Sequence, residues 1–358
     1  MNKKVSPKNM LKNGGLFIGL ILLTFYIIFK NNNIEEIINT ISSLNISYTT
    51  IGIVCSCTFI ICEGINIGRN LKLMEYDINF FTSIKYAIVG LFFSSVTPSA
   101  SGGQPMQVYY MHKDGIQVSH SSLALLMDLA SFQFVTVTMA IVGYIAEHKL
   151  LVNTLGSIKY LVLLGIILNT LVMLLILTAI FSKRFIGKFI DFICFILGKI
   201  KYKKVDKFKE MATEQVKEYK ESAKYFKENK LTVLKVLMTT TVQIVALHSV
   251  PFWIYKAFGL SGYSLTTVVM LQAVLYISVS ALPLPGAVGV SESGFMVIYK
   301  TLFPAQILSS AMLVSRGISF YLLVLISGIF IAGTHILNIK GNHYVKVTRK
   351  RRGENFDL

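Results

Sequence analysis

Long apolar segments recur along almost the whole chain, and this recurrence limits the folds that the sequence can adopt. A hydrocarbon core about 30 Å thick requires about 20 predominantly apolar residues from a spanning helix. Backbone hydrogen bonds in lipid must be made within the segment, so each segment is predicted to be helical. The sequence therefore predicts an all-α integral membrane protein with about eight membrane segments, at 16–29, 46–64, 80–97, 119–146, 159–181, 231–256, 264–282 and 307–335.

The composition agrees with this prediction. Only 15% of the 358 residues are charged, whereas about 25% are charged in an average soluble domain. Because apolar segments occupy the whole length, residues 1–358 are predicted to form a single membrane domain. The basic, apolar start of the chain is not followed by a small-residue cleavage motif, so 16–29 is interpreted as an uncleaved first span.

The net charge of +17 is concentrated in connections between the apolar segments. Such an excess fixes topology and meets anionic lipid, so nucleic-acid binding is not expected. By the positive-inside rule the basic connections and both termini are cytoplasmic. The Asn-, Ile- and Lys-rich usage favours the cytoplasmic membrane of a bacterium. The basic clusters lie before residue 13, at Arg69 and Lys72, at Lys113, at 183–230 and at 340–352.

This topology is consistent only if two segments return to the side from which they enter. The third segment starts inside, yet the chain is inside again at Lys113, and the seventh segment repeats this pattern from the outside. Helix breakers lie at both positions, in Thr97–Pro105 and in Leu282–Glu292. The pattern predicts two re-entrant helix hairpins arranged as an inverted repeat, as in many transporters. Two ordinary kinked helices are the alternative.

Two basic regions outside the spans are also predicted. Residues 183–230 contain fourteen Lys and Arg and seven Asp and Glu, with apolar residues at spacings of three and four. They are interpreted as a cytoplasmic amphipathic helical insert lying on the membrane or the bundle. Recruitment of a partner protein is the alternative. Residues 338–358 are interpreted as a basic cytoplasmic tail.

Few ionisable residues lie inside the predicted spans, and such residues usually pair or line a cavity. We expect Glu292, Arg316 and Asp128 to line a polar route, with Arg316 binding phosphate and the acids binding ammonium. A structural Asp128–Arg316 pair is the alternative. Glu63 is interpreted as an interfacial residue matched with Arg69.

The helix breakers themselves are candidate binding residues. Glycine allows tight turns, and broken helix ends offer free N–H groups to phosphate and free carbonyls to ammonium. Close helix packing is the alternative role of the glycines. The candidates are Pro98, Gly102, Gly103, Gln104, Pro283, Pro285, Gly286 and Gly289.

Other chemistry has little support in the sequence. There is no P-loop pattern and no C-x-x-C pair, and the six His are scattered. We therefore predict no catalytic residue, no metal site and no cofactor.

Thr97–Met111, Pro283–Glu292 and Ser315–Tyr321 resemble motifs of the lysylphosphatidylglycerol synthase transmembrane (flippase) family, over nearly the whole chain. The resemblance implies a membrane domain that moves aminoacylated or other charged lipids between leaflets. Bifunctional members add a soluble aminoacyltransferase domain, which 338–358 is too short to form. Many relatives also have Gly-Glu where this chain has Gly103-Gln104.

Together these observations predict a flippase that moves an anionic or aminoacylated phospholipid, such as lysyl-phosphatidylglycerol. The expected partner is this membrane lipid, and a homo-oligomer is compatible with the sequence. Phosphatidylglycerol lysyltransferase activity, or an accessory part in it, is one alternative function. Transport of a small solute is a second.

Overall fold

A computed structural model of the chain describes residues 34–156, 159–181, 224–280, 282–340 and 347–349. Almost all of these residues are helical. In chain order the helices and the two short strands are α1 (Ile34–Ser42), α2 (Ile46–Leu73), β1 (Tyr76–Asp77), α3 (Phe80–Ser95), α4 (Gly103–Lys113), α5 (Val118–Ala146), α6 (His148–Leu155), α7 (Lys159–Phe181), α8 (Lys230–His248), α9 (Val250–Ala257), α10 (Leu265–Ser280), α11 (Val290–Ile298), α12 (Ala305–Arg316), α13 (Leu322–Lys340) and β2 (Thr348–Arg349).

Short irregular helices interrupt this series. Two 3-10 turns, which we call the first turn and the second turn, lie at Pro98–Ala100 and Pro285–Ala287. A further 3-10 turn follows α11 at Tyr299–Thr301, and a π-helical segment, Gly317–Tyr321, joins α12 to α13.

Five helical stretches of the described residues are long and apolar enough to cross a membrane, so the chain is an all-α membrane protein. Helices α3 and α10 are apolar but have 16 residues each, which gives about 24 Å, less than a hydrocarbon core. The predicted segment 16–29 lies outside the described residues, and the count of eight segments is not established. The five stretches are Ile46–Leu73, Val118–Ala146, Lys159–Ile180, Lys230–Ala257 and Ala305–Thr334.

Helix α2 extends nine residues beyond the predicted end at 64, because neighbouring helices satisfy its polar side chains. Asn66 Nδ2 donates to Thr240 Oγ1 at 2.9 Å, and Asn70 Nδ2 donates to the Ala124 carbonyl at 3.0 Å. Arg69 Nη1 donates to the Lys235 carbonyl and to Thr239 Oγ1, each at 2.9 Å. The predicted match of Arg69 with Glu63 is therefore wrong.

Two hydrophobic clusters lie at opposite ends of the spanning helices. The first end contains Met74, Ile116, Ile180 and Val347, and the second end contains Leu151, Val162, Tyr255 and Phe303. The end of α2, the connection after Lys113, the end of α7 and the C-terminal strand thus share one end. This grouping agrees with the one predicted from the basic residues, and the side on which the first end lies stays a prediction.

Helices α3 and α4, with the first turn, form a hairpin that opens at the first end, and we call it the first hairpin. Lys85 near the start of α3 forms an ion pair with Asp114, which follows α4. Tyr86 Oη donates to Asp114 Oδ2 at 2.6 Å, and Val347 N donates to the Asp114 carbonyl at 2.9 Å. The start of α3 and the end of α4 are thereby tied together.

Helices α10 and α11, with the second turn, form a second hairpin that opens at the second end. Tyr299 Oη, just after α11, donates to Gln272 Oε1 of α10 at 2.9 Å, and Tyr263 Oη donates to the Thr301 carbonyl at 3.3 Å. The first turn and the second turn are in contact with each other. Two hairpins that open at opposite ends therefore meet at their turns inside the bundle.

The two basic regions are described only in part. Of the predicted insert at 183–230, residues 224–230 are described, and its amphipathic helix lies outside the described residues. In the predicted tail, β2 pairs antiparallel with β1, with Tyr76 opposite Arg349 and Asp77 opposite Thr348. Both regional assignments stay predictions.

Candidate functional site where two broken helices meet

The two turns have the same backbone plan. Each begins with a proline, Pro98 or Pro285, and the following helix begins five residues later. The two residues after each proline have positive φ angles, 51° and 53° at Ser99 and Ala100, and 59° and 50° at Gly286 and Ala287. Non-glycine residues in this conformation are strained, and such strain concentrates at functional sites.

Neutral hydrogen bonds and close packing hold the first turn. Thr97 Oγ1 donates to the Phe93 carbonyl at 2.6 Å and accepts from Gly102 N at 2.8 Å. A Cβ atom on Gly103 would lie 2.0 Å from Ser94 Oγ and 2.8 Å from the Gly90 carbonyl oxygen. Only glycine allows α4 to approach α3 this closely.

A carboxylate and an aromatic ring hold the second turn. Gly289 precedes α11, and its N donates to Glu292 Oε2 at 2.7 Å. A Cβ atom on Gly286 would lie 2.2 Å from Phe320 Cζ, so glycine at this position serves both the positive φ angle and the close approach.

Arg316 ends α12 and is fixed against the second turn. Its Nε donates to Glu292 Oε1 at 2.9 Å, and its Nη2 donates to the Gly286 carbonyl at 3.1 Å. Tyr321 Oη also donates to Glu292 Oε1, at 3.0 Å. The Arg316 guanidinium lies 4.4 Å from the centre of the Phe320 ring. The π-helical segment Gly317–Tyr321 brings these aromatic residues to Arg316, and π-helical insertions are frequent at functional sites.

A cavity of about 250 Å³, which we call the central cavity, lies where the two turns meet. Its apolar lining comes from α2, α3, α8, α10 and α13, and a smaller cavity of about 40 Å³ adjoins it around Arg316 and Ser315. The polar residues that line the central cavity are Ser94, Ser95, Ser99, His248, Gln272, Tyr276, Ser280, Ser291, Arg316 and Ser319.

His248 is a buried polar residue of this lining. Its side chain is 3% exposed, and its Nδ1 atom has no hydrogen-bond partner among the described residues. The imidazole lies beside the Tyr276 ring, with 5.6 Å between the ring centres. Buried polar atoms are almost always satisfied by protein, water or a ligand, so an unpartnered Nδ1 is an exception within this lining.

Asp128 lies beside Glu63 and is not paired with Arg316. We call Glu63 and Asp128 the acid pair. The two carboxylates interact electrostatically, and Asp128 Oδ1 is buried without a hydrogen-bond partner among the described residues. Gln107 Nε2 donates to Glu63 Oε1 at 3.3 Å and to the Tyr86 carbonyl at 3.1 Å. The alternative in which Asp128 pairs with Arg316 is therefore wrong, because Arg316 pairs with Glu292.

Three aromatic rings, which we call the aromatic layer, lie beside the central cavity, and neither residue of the acid pair lines that cavity. Phe59 and Tyr276 line the cavity, and Phe132 packs between them, with ring centres 6.5 Å and 6.1 Å away. Glu63 and Asp128 each lie one helical turn, about 6 Å, from a phenylalanine of this layer. The structure thus has two distinct polar sites.

The predicted site residues divide into four groups by position. Gly286 and Arg316 line the central cavity, while Glu292 lies behind Arg316 and is 3% exposed. Pro98, Gly102, Gly103, Pro285 and Gly289 build the two turns and their helix starts. Gln104 and Pro283 have exposed side chains outside the cavity lining, and Asp128 belongs to the acid pair.

Sequence reasoning missed several lining residues. The sequence signal for these residues was an isolated polar side chain in a strongly apolar helix. It applies to Gln272 and Tyr276 of α10 and to the serines of α3. Gln107, three residues after the proposed Gln104, is the buried glutamine of α4. Among the described residues no group of three or more His, Cys, Asp and Glu is placed to hold a metal ion.

Comparison with known proteins gives relatives of similar length. The UPF0104 membrane protein of Archaeoglobus fulgidus is 25% identical over 302 residues, which cover 82% of this chain and 89% of the relative. UPF0104 membrane proteins of Pyrococcus horikoshii and Methanocaldococcus jannaschii are 24% and 23% identical, over 83% and 81% of this chain and 90% and 85% of the relatives. All three organisms are archaea, and the bacterial location of this chain stays a prediction.

A family model described as the lysylphosphatidylglycerol synthase TM region matches residues 14–327. The match includes both turns, the acid pair, Glu292 and Arg316. It confirms the resemblance drawn from the turn motifs, and it concerns the membrane domain alone. The chain therefore belongs to the lysylphosphatidylglycerol synthase TM region family.

Proposed function

We propose that this protein moves a phospholipid with an anionic or aminoacylated head group between the two leaflets of a membrane. The head group passes through the central cavity, and the acyl chains stay in the surrounding lipid. The two hairpins act as re-entrant halves of an inverted repeat, each opening toward one leaflet. Transporters commonly place the substrate where such broken helices meet.

One observation supports this proposal above the others: a guanidinium group lies in the cavity at which the two broken segments meet. Glu292 and the Gly286 carbonyl use Nε and one N–H of Nη2, so other N–H groups of Arg316 are free to bind a ligand. A planar guanidinium suits a phosphate group. A volume of about 250 Å³ corresponds to about eight waters, enough for a head group and too little for acyl chains.

The proposal is tested in liposomes that contain the purified protein and tail-labelled phospholipids. Loss of label on addition of a membrane-impermeant quencher reports how fast lipid reaches the outer leaflet. We expect Arg316→Gln to abolish protein-dependent movement. Lys300→Gln is the matched control, because Lys300 is exposed at the open end of the second hairpin, and this variant should move lipid at the original rate. Unchanged movement with Arg316→Gln would contradict the proposal.

A small-anion transporter is the second candidate, and the size of the central cavity favours it, since a soluble phosphate ester would also fit. Uptake of radiolabelled glycerol phosphate into the same liposomes separates the two functions. Lysyl transfer from charged tRNA to phosphatidylglycerol, which the resemblance suggests, is tested by adding lysyl-tRNA to the purified protein and measuring lysyl-lipid.

A further inference from the structure

We propose that the lipid moved by this protein has a phosphate head group whose remaining part is uncharged, and that lipids with an ammonium group are excluded. This inference rests on the proposed function and narrows its substrate class. Phosphatidylglycerol has the required chemistry. Lysyl-phosphatidylglycerol and phosphatidylethanolamine do not.

The first argument is the orientation of the ion pair at the second turn. Both carboxylate oxygens of Glu292 accept hydrogen bonds, from Arg316 and Tyr321 at Oε1 and from the Gly289 N–H at Oε2. Glu292 is absent from the cavity lining, whereas Arg316 belongs to it. The Arg316 guanidinium therefore faces the cavity. The Glu292 carboxylate does not line it, and its charge is already balanced by these hydrogen bonds.

The second argument is that the other polar groups around the cavity are neutral and able to donate hydrogen bonds. The hydroxyls of Ser99, Ser291 and Ser319 make no hydrogen bond to other described residues, and all three line the cavity. Together with Arg316 these groups form a donor set that matches the oxygen atoms of a phosphate.

The third argument is the position of the carboxylates. No Asp or Glu of the described residues lines the central cavity. The two residues of the acid pair are not among the lining residues either. Glu292, the carboxylate paired with Arg316, already accepts hydrogen bonds at both oxygens, so an ammonium group in the cavity would face the Arg316 guanidinium and no carboxylate of the lining. Such a like-charge arrangement in a low-dielectric site strongly disfavours binding.

The test compares three lipids with the same labelled tail in liposomes of one composition: phosphatidylglycerol, lysyl-phosphatidylglycerol and phosphatidylethanolamine. We expect phosphatidylglycerol to move at least about tenfold faster than either ammonium lipid, because like-charge contacts cost several kilocalories per mole. Equal or faster movement of lysyl-phosphatidylglycerol would overturn this inference and leave the proposed function intact. If none of the three lipids moves, the proposed function fails and this inference fails with it.

A variant that adds a carboxylate to the cavity provides a second test. Gln272→Glu keeps the oxygen that accepts from Tyr299 and places a negative charge in the lining. We expect the ratio of lysyl-phosphatidylglycerol to phosphatidylglycerol movement to rise by about tenfold or more. Lys300→Gln should leave the ratio unchanged. An unchanged ratio in a folded Gln272→Glu protein would count against the inference, and glycerol phosphate uptake without lipid movement would identify a soluble ester as the substrate instead.

Discussion

The two hairpins share one backbone plan and differ in what holds them. In the second hairpin an ion pair between Glu292 and Arg316 fixes the turn beside the central cavity. In the first hairpin the turn is held by Thr97 and by glycine packing, and its ion pair, Lys85–Asp114, lies at the open end. A turn with this backbone plan can thus be stabilised either by an ion pair or by neutral hydrogen bonds and close packing. Arg316 of α12, which is bound to the second hairpin, provides the charge at the site, and the first hairpin provides a neutral wall.

A further difference concerns the carboxylates. Glu292 accepts three hydrogen bonds, one of them from the Arg316 cation, whereas Glu63 and Asp128 face each other and Glu63 accepts only from the neutral amide of Gln107 among the described residues. Two carboxylates in a low-dielectric interior cannot both be charged without a large electrostatic cost. Removing a carboxylate charge should therefore have opposite effects at the two sites.

The largest effect is expected for Glu292→Gln. This change removes the negative charge and leaves the Arg316 guanidinium, with a side chain 16% exposed, without its counter-charge. Breaking a buried pair in this way costs about 3–5 kcal/mol. The free energy of unfolding, measured by denaturant titration in detergent micelles, should fall accordingly. A loss of less than about 1 kcal/mol, the value for an exposed pair, would show that the charge balance of the second turn is unimportant.

The next largest effects are expected where glycines permit close approach. Gly286→Ala places Cβ against Phe320 at a positive φ angle, and Gly103→Ala places Cβ against Ser94 and the Gly90 carbonyl. Overpacking costs about 1–3 kcal/mol, and the positive φ angle adds about 1–2 kcal/mol at Gly286 alone. The second turn should therefore be the more sensitive of the two in thermal unfolding assays.

Two variants make the comparison of the turns sharper. Gly333→Ala in α13 has open space around the new Cβ and should leave stability unchanged or slightly higher. The double variant Gly103→Ala with Ser94→Ala removes the side-chain clash but keeps the backbone contact, so it should recover only part of the loss. Full recovery would mean that the backbone approach of α4 to α3 is not tight.

A smaller effect of opposite sign is expected at the acid pair. Asp128→Asn removes the repulsion from Glu63 and keeps the size and shape of the side chain. Relief of this buried charge should raise the free energy of unfolding by about 1 kcal/mol. Glu63→Gln should act in the same direction, and the double variant should gain less than the sum, since each change removes the same repulsion. Destabilisation by both single variants would contradict the expectation that repulsion dominates at this pair.

The sequence predicted the two broken hairpins because proline, glycine and the basic connections are local signals. Hydropathy predicts where an apolar helix ends. The positions of the basic connections predict which connections share one end of the bundle. The partners of Arg316 were not predictable in this way. Whether Arg316 meets Glu292 or Asp128 depends on the rotation of α12 about its own axis and on the π-helical segment after it. The acid pair likewise joins residues on α2 and α5 that only helix packing brings together.

The smallest effect is expected for Gln104→Glu, which places an acidic residue at the position where the family resemblance leads us to expect one. The Gln104 side chain is exposed on α4 and lies outside the central cavity, whereas the buried glutamine of this helix is Gln107. Stability should change by less than about 0.5 kcal/mol, as for most exposed substitutions. Movement of phosphatidylglycerol in liposomes should stay at the original rate. A clear gain in movement of lysyl-phosphatidylglycerol would instead place Gln104 on the route of the head group, and the first hairpin would then contribute charge selectivity as well as a wall.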